Sequence, residues 1–176
     1  MSIYTKNGDA GETDLYGGKR VRKSVDAVEV LGQFDELNAF LGLSRLLLKK
    51  SDAVKISQIQ NDLFLLGSIV AGVALKQSDI NYLKKRVDGL EEQIDMLERK
   101  TTRLASFILP NGCEATARLH LARAICRRCE RSLVALGEHM DLVPYLNRLS
   151  DYLFVLARQE NSRRGVKDEL VTPTPR

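Results

Sequence analysis

Residues 124–136, AICRRCERSLVAL, place Cys126 and Cys129 three positions apart among Arg127, Arg128 and Arg131. Two chemistries compete for this stretch. A C-x-x-C could hold a metal or cycle a disulfide, whereas crowded guanidiniums could seat an anion. Structural zinc takes four ligands, and the other candidates are Cys113, His120 and His139. In a continuous helix Cys113 would lie roughly 20 Å from Cys126, and His120 would point to nearly the opposite face. Redox pairs of this spacing work at helix N-termini, where the dipole favours the thiolate; this pair falls in mid-helix. The thiols are expected to be small core residues.

The arginines are harder to dismiss. Arg123, Arg127 and Arg131 follow one another at i, i+4 and i+8, a single file of like charges that repel. Glu130, carboxylates of a neighbouring helix, or an oligophosphate could answer them. Otherwise the file is a solvated basic face.

A second anion-friendly stretch lies at the N-terminus. Gly8, Gly11, Gly17 and Gly18 allow backbone amides to approach an anion, with Thr5, Thr13, Lys6 and Lys23 as further donors. It is not a Walker A loop: Gly18-Lys19 is followed by Arg20, and position 13 is threonine. A third set consists of polar residues inside apolar helices, Asp35 and Asn38 in FDELN and Asn147 and Asp151 in YLNRLSDYLF. Buried polar groups need partners. Asp35 is expected to meet an arginine of the fourth helix, with Asn147 facing the same cavity.

The elements that must position these groups are helical. Residues 1–23 have no sustained apolar period and are expected to be a loop segment. Ser24 caps a first helix with Val28, Leu31, Phe34, Leu37 and Leu41 on one side. Ser51 and Asp52 open a second, carrying Ile56, Ile59, Leu63, Leu66, Val70 and Val73. Ser78 and Asp79 open a third, where Ile80, Leu83, Val87, Leu90, Ile94 and Leu97 alternate spacings of three and four. After the turn at 110–112 a fourth helix spans about 114–136. A fifth begins near Pro144 and carries Leu146, Leu149, Leu153 and Leu156. The fold class is therefore all-α, an antiparallel five-helix bundle forming a single domain over residues 1–176. The bundle spans 24–164, and 165–176 form a flexible tail.

The totals agree. A chain of 176 residues and 19.7 kDa fits one domain. Its net charge of +4 arises from 27 basic residues against 23 acidic ones, a balance that does not call for nucleic acid. No apolar run is long enough for a membrane span, and no secretory leader is recognisable. The expectation is a cytoplasmic protein with reduced thiols. No Glu-x-x-His occurs, which excludes di-iron carboxylate bundles.

Four stretches, taken in order, resemble the PduO-type ATP:cob(I)alamin adenosyltransferases: IYTKNGDAGETDLYGGKRVRK, VEVLGQFDELNAFLG, FILPNGCEATARLHLARAICRRCERSLVAL and YLNRLSDYLFVLAR. The resemblance implies a homotrimer with active sites between subunits. It implies ATP, carried with Mg²⁺, on Thr5, Lys6, Asn7, Gly8, Thr13, Asp14 and Lys23, reached from helix four by Arg127, Arg128, Glu130 and Arg131 and from helix five by Asn147. Arg123 matches an arginine that pairs with an aspartate, here Asp35, beside the corrinoid, and Phe107 an aromatic against the lower face of the corrin ring. Arg123, Arg127, Asp35 and Asn147 would form the catalytic set.

The chemistry so implied is attack of cob(I)alamin's cobalt on the 5′ carbon of ATP, with triphosphate leaving and no general base. A flavoprotein reductase would supply the electron, and an adenosylcobalamin-dependent acceptor enzyme would take the product. A basic helical module binding an anionic partner through the arginine file is the competing reading. It would not need Asp35, Phe107 or the loop glycines. A third is a family member acting mainly as a carrier of adenosylcobalamin.

Overall fold

The structure, a computed structural model, describes Tyr4 and residues 6–172. Five helices dominate: α1 (Asp26–Arg45), α2 (Lys50–Val70), α3 (Gln77–Glu98), α4 (Glu114–Leu136) and α5 (Val143–Arg163). The fourth has the bounds expected. Gly112 precedes it, and Gly137 ends it with φ 73°, a left-handed conformation that glycine adopts without a Cβ penalty.

The helix starts depart from expectation by one or two residues. Val25 rather than Ser24 precedes α1, whose first turn carries Asp26 and Glu29 against the positive end of the helix dipole. Asp52 does not cap α2; its carboxylate takes Arg163 of α5 at 2.6 Å. Asp79 does close the start of α3, accepting from the Lys76 amide at 3.0 Å.

The buried stripe of α1 is Val30, Phe34, Leu37 and Leu41, so Val28 and Leu31 lie at its margin and Val30 takes their place. On α2 the expected residues are buried as far as Val70, where the helix ends before Val73. In α3 only Leu83, Leu90 and Leu97 are fully buried. Their spacing of seven matches a helix touching the bundle along one narrow seam.

The helices neighbour one another in the order α2, α1, α4, α5, α3. Polar side chains bridge the remaining gap between α2 and α3. Asp62 of α2, 1% exposed, accepts from Tyr82 Oη at 2.6 Å and Arg86 Nε at 2.8 Å on α3, and from Tyr145 Oη at 2.6 Å on α5. Burial and the adjacent carboxylate hold the Tyr145 phenol well above its ordinary pKa, so it stays a donor.

Two short regions differ from the expected loop and tail. Residues 12–22 form an antiparallel hairpin, β1 (Glu12–Asp14) with β2 (Arg20–Arg22), pairing Thr13 with Val21. Arg20 holds it together, bonding Glu12 at 3.0 Å and Asp14 at 3.2 Å. The Tyr16 amide donates to Ala71 O at 3.0 Å and docks the hairpin on the end of α2. At the other terminus Leu170 bridges Ile108 antiparallel, so the segment after α5 is stitched to the α3–α4 linker instead of hanging free.

Candidate functional site

The thiols settle first. Cys126 and Cys129 are fully buried. Their Sγ–H groups point at Leu146 O and Gln33 O, each at 3.3 Å. Burial pushes the Cys129 thiol up to about 12 and Cys126 well above its ordinary value, the opposite of a reactive or metal-binding thiolate. No group of three or more potential metal ligands occurs among the described residues.

Arg123, Arg127 and Arg131 run along α4, and Glu130 on the same helix meets Asn147 of α5. Glu130 accepts from Asn147 Nδ2 at 3.0 Å. It therefore bridges two helices and does not neutralise an arginine, as its place beside the file had suggested. Arg131 folds back onto Arg127 O at 3.1 Å. Arg127 is exposed. Among the described residues, Arg123, Arg127 and Arg131 form no ion pair with any carboxylate.

Arg123 is half-buried, its guanidinium 5.9 Å from the centroid of the Phe154 ring, within cation–π range. Its Nε is buried without a partner. Burial, and second the nearby Arg127 charge, lower its pKa.

His120 belongs to this cluster, although the sequence reading gave it no role beyond a rejected zinc ligand. It lies one helical turn before Arg123, on the same face, and that spacing was the available signal. The ring is 4% exposed, sits 6.0 Å from Phe154, and leaves Nδ1 unpartnered. Burial, then Arg123, lower its pKa to about 4, with Asp168 opposing weakly.

The unfolded chain protonates His120 near its ordinary 6.5. Folding therefore expels a proton between the two values. The corresponding stability is full above pH 6.5 and is lost as pH falls toward about 4. The loss should be on the order of 2 kcal/mol, and thermal midpoints measured across pH 7 to 4.5 should fall less steeply in His120→Leu than in wild type. Parallel slopes would show that His120 titrates normally.

The other expected residues are elsewhere. Asp35 is exposed and does not meet Arg123. It lines a cavity of about 330 Å³ between α1 and α2 with Leu31, Phe34, Asn38 and Phe64. The ion pair from α1 to α4 is made by its neighbour Glu36, to Arg128. One residue along a helix is a rotation of about 100°, and that rotation separates the two carboxylates. It also takes Arg128 off the arginine file. Asn38 is committed to Gln60, with Oδ1 accepting at 2.8 Å.

Lys6, Asn7, Gly8, Thr13, Asp14 and Lys23 gather on and beside the hairpin; Thr5 lies outside the described residues. Lys6 adopts φ 62°. Arg20 donates to Asn7 O, and the Lys23 ammonium lies beside Gly8, at 3.1 Å from where a Cβ there would stand. Asp14 is occupied by Arg20. Phe107, on the linker before α4, is 85% exposed.

The chain thus carries two polar surfaces. One is the hairpin together with the largely apolar groove between α1 and α2 that Asp35 lines, both touching Ala71. The other is the arginine file with Asn147, on α4 and α5.

Residues 3–160 match the cobalamin adenosyltransferase family model. The chain is 39% identical over 177 residues to a corrinoid adenosyltransferase of Bacillus subtilis (strain 168), covering 96% of this chain and 91% of that protein. It is 41% identical over 169 residues to the corrinoid adenosyltransferase PduO of Salmonella typhimurium, covering 92% of this chain and 50% of that longer protein. Among solved structures, a variant PduO-type ATP:corrinoid adenosyltransferase from Lactobacillus reuteri complexed with cobalamin and ATP superposes with a TM-score of 0.89. That match has 33% identity and covers 98% of this chain and 100% of the other. This chain belongs to the cobalamin adenosyltransferase family.

Proposed function

We propose that this chain transfers the 5′-deoxyadenosyl group of ATP to the cobalt of cob(I)alamin, giving adenosylcobalamin and triphosphate. The observation that carries the reading is the unanswered arginine file. Arg123, Arg127 and Arg131 stand at i, i+4 and i+8 on α4, like charges at a spacing that repels, with no carboxylate paired to them among the described residues. Such a file is costly alone and is relieved by a polyanion.

The division of labour follows from the two surfaces. Lys6, Asn7, Gly8, Thr13 and Lys23 of the hairpin, with Thr5, hold the nucleotide. Arg127, Arg131 and Asn147 meet the phosphates, with Glu130 orienting Asn147 through its 3.0 Å bond. Charge growing on the departing triphosphate is what fixed guanidiniums stabilise, without reorganisation at the moment of reaction. Arg128, already paired with Glu36, contributes to ATP only by releasing that partner.

Phe107 and the Arg123–Phe154 pair face the corrinoid, and the exposed Phe107 ring supplies an apolar wall where a lower axial ligand would stand. The protein's task is alignment of cobalt with the 5′ carbon; no side chain needs to move a proton. Among the described residues no group of three or more potential metal ligands occurs, and Asp14 is paired with Arg20. The ion arrives on the triphosphate.

The hairpin docks on the end of α2 and Asp35 lies on α1, while the file lies on α4 beside α5. A site that needs both is assembled from two copies, and a homotrimer repeats that junction three times. Asp35 of one copy meeting Arg123 of the next would supply the carboxylate that Arg123 lacks. Among the described residues no helix is long and apolar enough to cross a membrane. Our reading places the protein in the cytoplasm. A flavoprotein reductase and an adenosylcobalamin-dependent acceptor enzyme are its natural partners.

Anaerobic incubation of the protein with ATP, Mg²⁺ and chemically reduced cobalamin should yield the light-sensitive adenosylcobalamin spectrum. Unchanged cobalamin under those conditions sinks the proposal and favours a non-enzymatic anion-binding module.

A further inference from the structure

The linker of residues 99–113 carries Phe107 but forms no helix and no hairpin of its own. It is held from outside, at three points, by the end of α5 and the segment that follows. Arg158, 6% exposed, donates through Nη2 to Thr102 O at 2.6 Å. Asn161, 2% exposed, accepts from the Cys113 amide at 3.1 Å and Thr116 Oγ1 at 2.8 Å, and donates to Asn111 O at 3.3 Å. The fit there is close. A Cβ at Gly112, φ 130°, would overlap the Asn161 carboxamide.

The third point is the chain after α5. It turns at Gly165 and runs back along the linker: Leu109 N donates to Glu169 O at 2.8 Å, and Val171 N to Phe107 O at 2.9 Å.

Asp168 joins these holds. Its Oδ2 accepts from Arg158 Nε at 2.7 Å and its Oδ1 from Asn161 Nδ2 at 3.4 Å. One carboxylate on the returning strand therefore touches both helix residues that grip the linker. The Phe107 side chain has almost no contacts to locate it, so its position is inherited from its backbone, and that backbone is bonded to Val171.

We infer that residues 165–171 form a latch that positions Phe107 for the corrinoid, with Asp168 as the positioning residue. The inference rests on the adenosyltransferase reading, in which Phe107 stands against the lower face of the corrin. Without the Asp168 carboxylate, Arg158 keeps a buried charge with no counterion and turns toward water, releasing Thr102. The returning strand loses its anchor, and Phe107 is no longer held at one height. ATP, gathered by the hairpin and the arginine file, is untouched.

The test uses the full chain with Asp168→Asn, Asp168→Glu and Val171→Pro. The last removes the amide that bonds Phe107 O, and it also fixes φ at 171 and restricts Leu170 beside it. Steady-state assays give KM for each substrate, a titration of cob(II)alamin into the protein with ATP gives a Kd without turnover, and thermal midpoints report folding. Asp168→Asn and Val171→Pro should raise the corrinoid KM and the cob(II)alamin Kd about tenfold, roughly 1.4 kcal/mol. The ATP KM should stay within about twofold, a change below 0.5 kcal/mol, and Asp168→Glu should lie closer to wild type.

Unchanged corrinoid affinity, or equal rises for both substrates, overturns the latch. If Asp168→Asn does not fold, Val171→Pro decides alone, because it leaves every buried charge paired. Failure of the underlying reading shows in the wild type as absent turnover and absent cob(II)alamin binding; failure of the latch shows only between variants.

Discussion

Arg127→Ala is expected to lower kcat/KM for adenosyl transfer by about 10²- to 10³-fold, the range found when one preorganised donor to a developing anion is removed. Thermal stability should stay within about 0.5 kcal/mol of wild type. Both halves follow from the same geometry. Arg127 is exposed and pairs with no carboxylate among the described residues, so its removal orphans nothing. The like charge of Arg123 one turn away gives the unliganded fold no reason to need it.

A residue that the fold tolerates at a cost is one that a ligand uses. Arg127→Lys keeps the charge without the planar fork and should fall between wild type and alanine. Steady-state kinetics and a thermal melt on the same preparations check this. Full activity in the alanine variant, or a collapse of its midpoint, would show that the file is a solvated face or a structural brace.

What could be read in advance depended on whether the physics was local. The bounds of α4 were legible because a turn at 110–112 and Gly137 frame an unbroken helical period. The fate of Cys126 and Cys129 was legible because zinc needs four ligands and the chain offers no third and fourth within reach. The choice between Asp35 and Glu36 was not. Both are acidic, adjacent and on α1, and which one meets α4 depends on how α1 is rotated about its axis, a property of the whole bundle.

The hairpin escaped for a related reason. Strands of three residues carry almost no period, and Arg20 finds Glu12 and Asp14 only once the turn has formed. The Leu170–Ile108 bridge joins residues some sixty positions apart, so no local pattern in either segment announces it. His120 is different. Its spacing from Arg123, one helical turn on the same face, is a local signal that a zinc-ligand count against Cys126 does not carry.

Asp62→Ala should be the most damaging single substitution in the scaffold, costing about 3–5 kcal/mol, as expected when one partner of a buried charged network is deleted. For a chain of this size that is a fall of roughly 6–20 °C in thermal midpoint. The carboxylate takes three donors from two other helices, Tyr82, Arg86 and Tyr145, and with the Lys55–Gln93 hydrogen bond it ties α2 to α3. Its loss leaves the Tyr145 hydroxyl unsatisfied in the core and the Arg86 guanidinium without a counterion.

Tyr82→Phe removes a single bond at the exposed edge of the network and should cost only about 1 kcal/mol. Asp62→Leu combined with Arg86→Met replaces both charges and should recover much of the loss, because buried ion pairs repay little of their desolvation. Surviving folded Asp62→Ala protein, assayed well below its midpoint, should keep near-normal KM for ATP, since none of the hairpin or file residues touches Asp62. A midpoint within about 2 °C of wild type, under 1 kcal/mol by the same conversion, would mean that the α2–α3 gap is held by something other than this carboxylate. A melt of normal height but altered KM for ATP would mean that the bundle transmits this gap to the nucleotide surface.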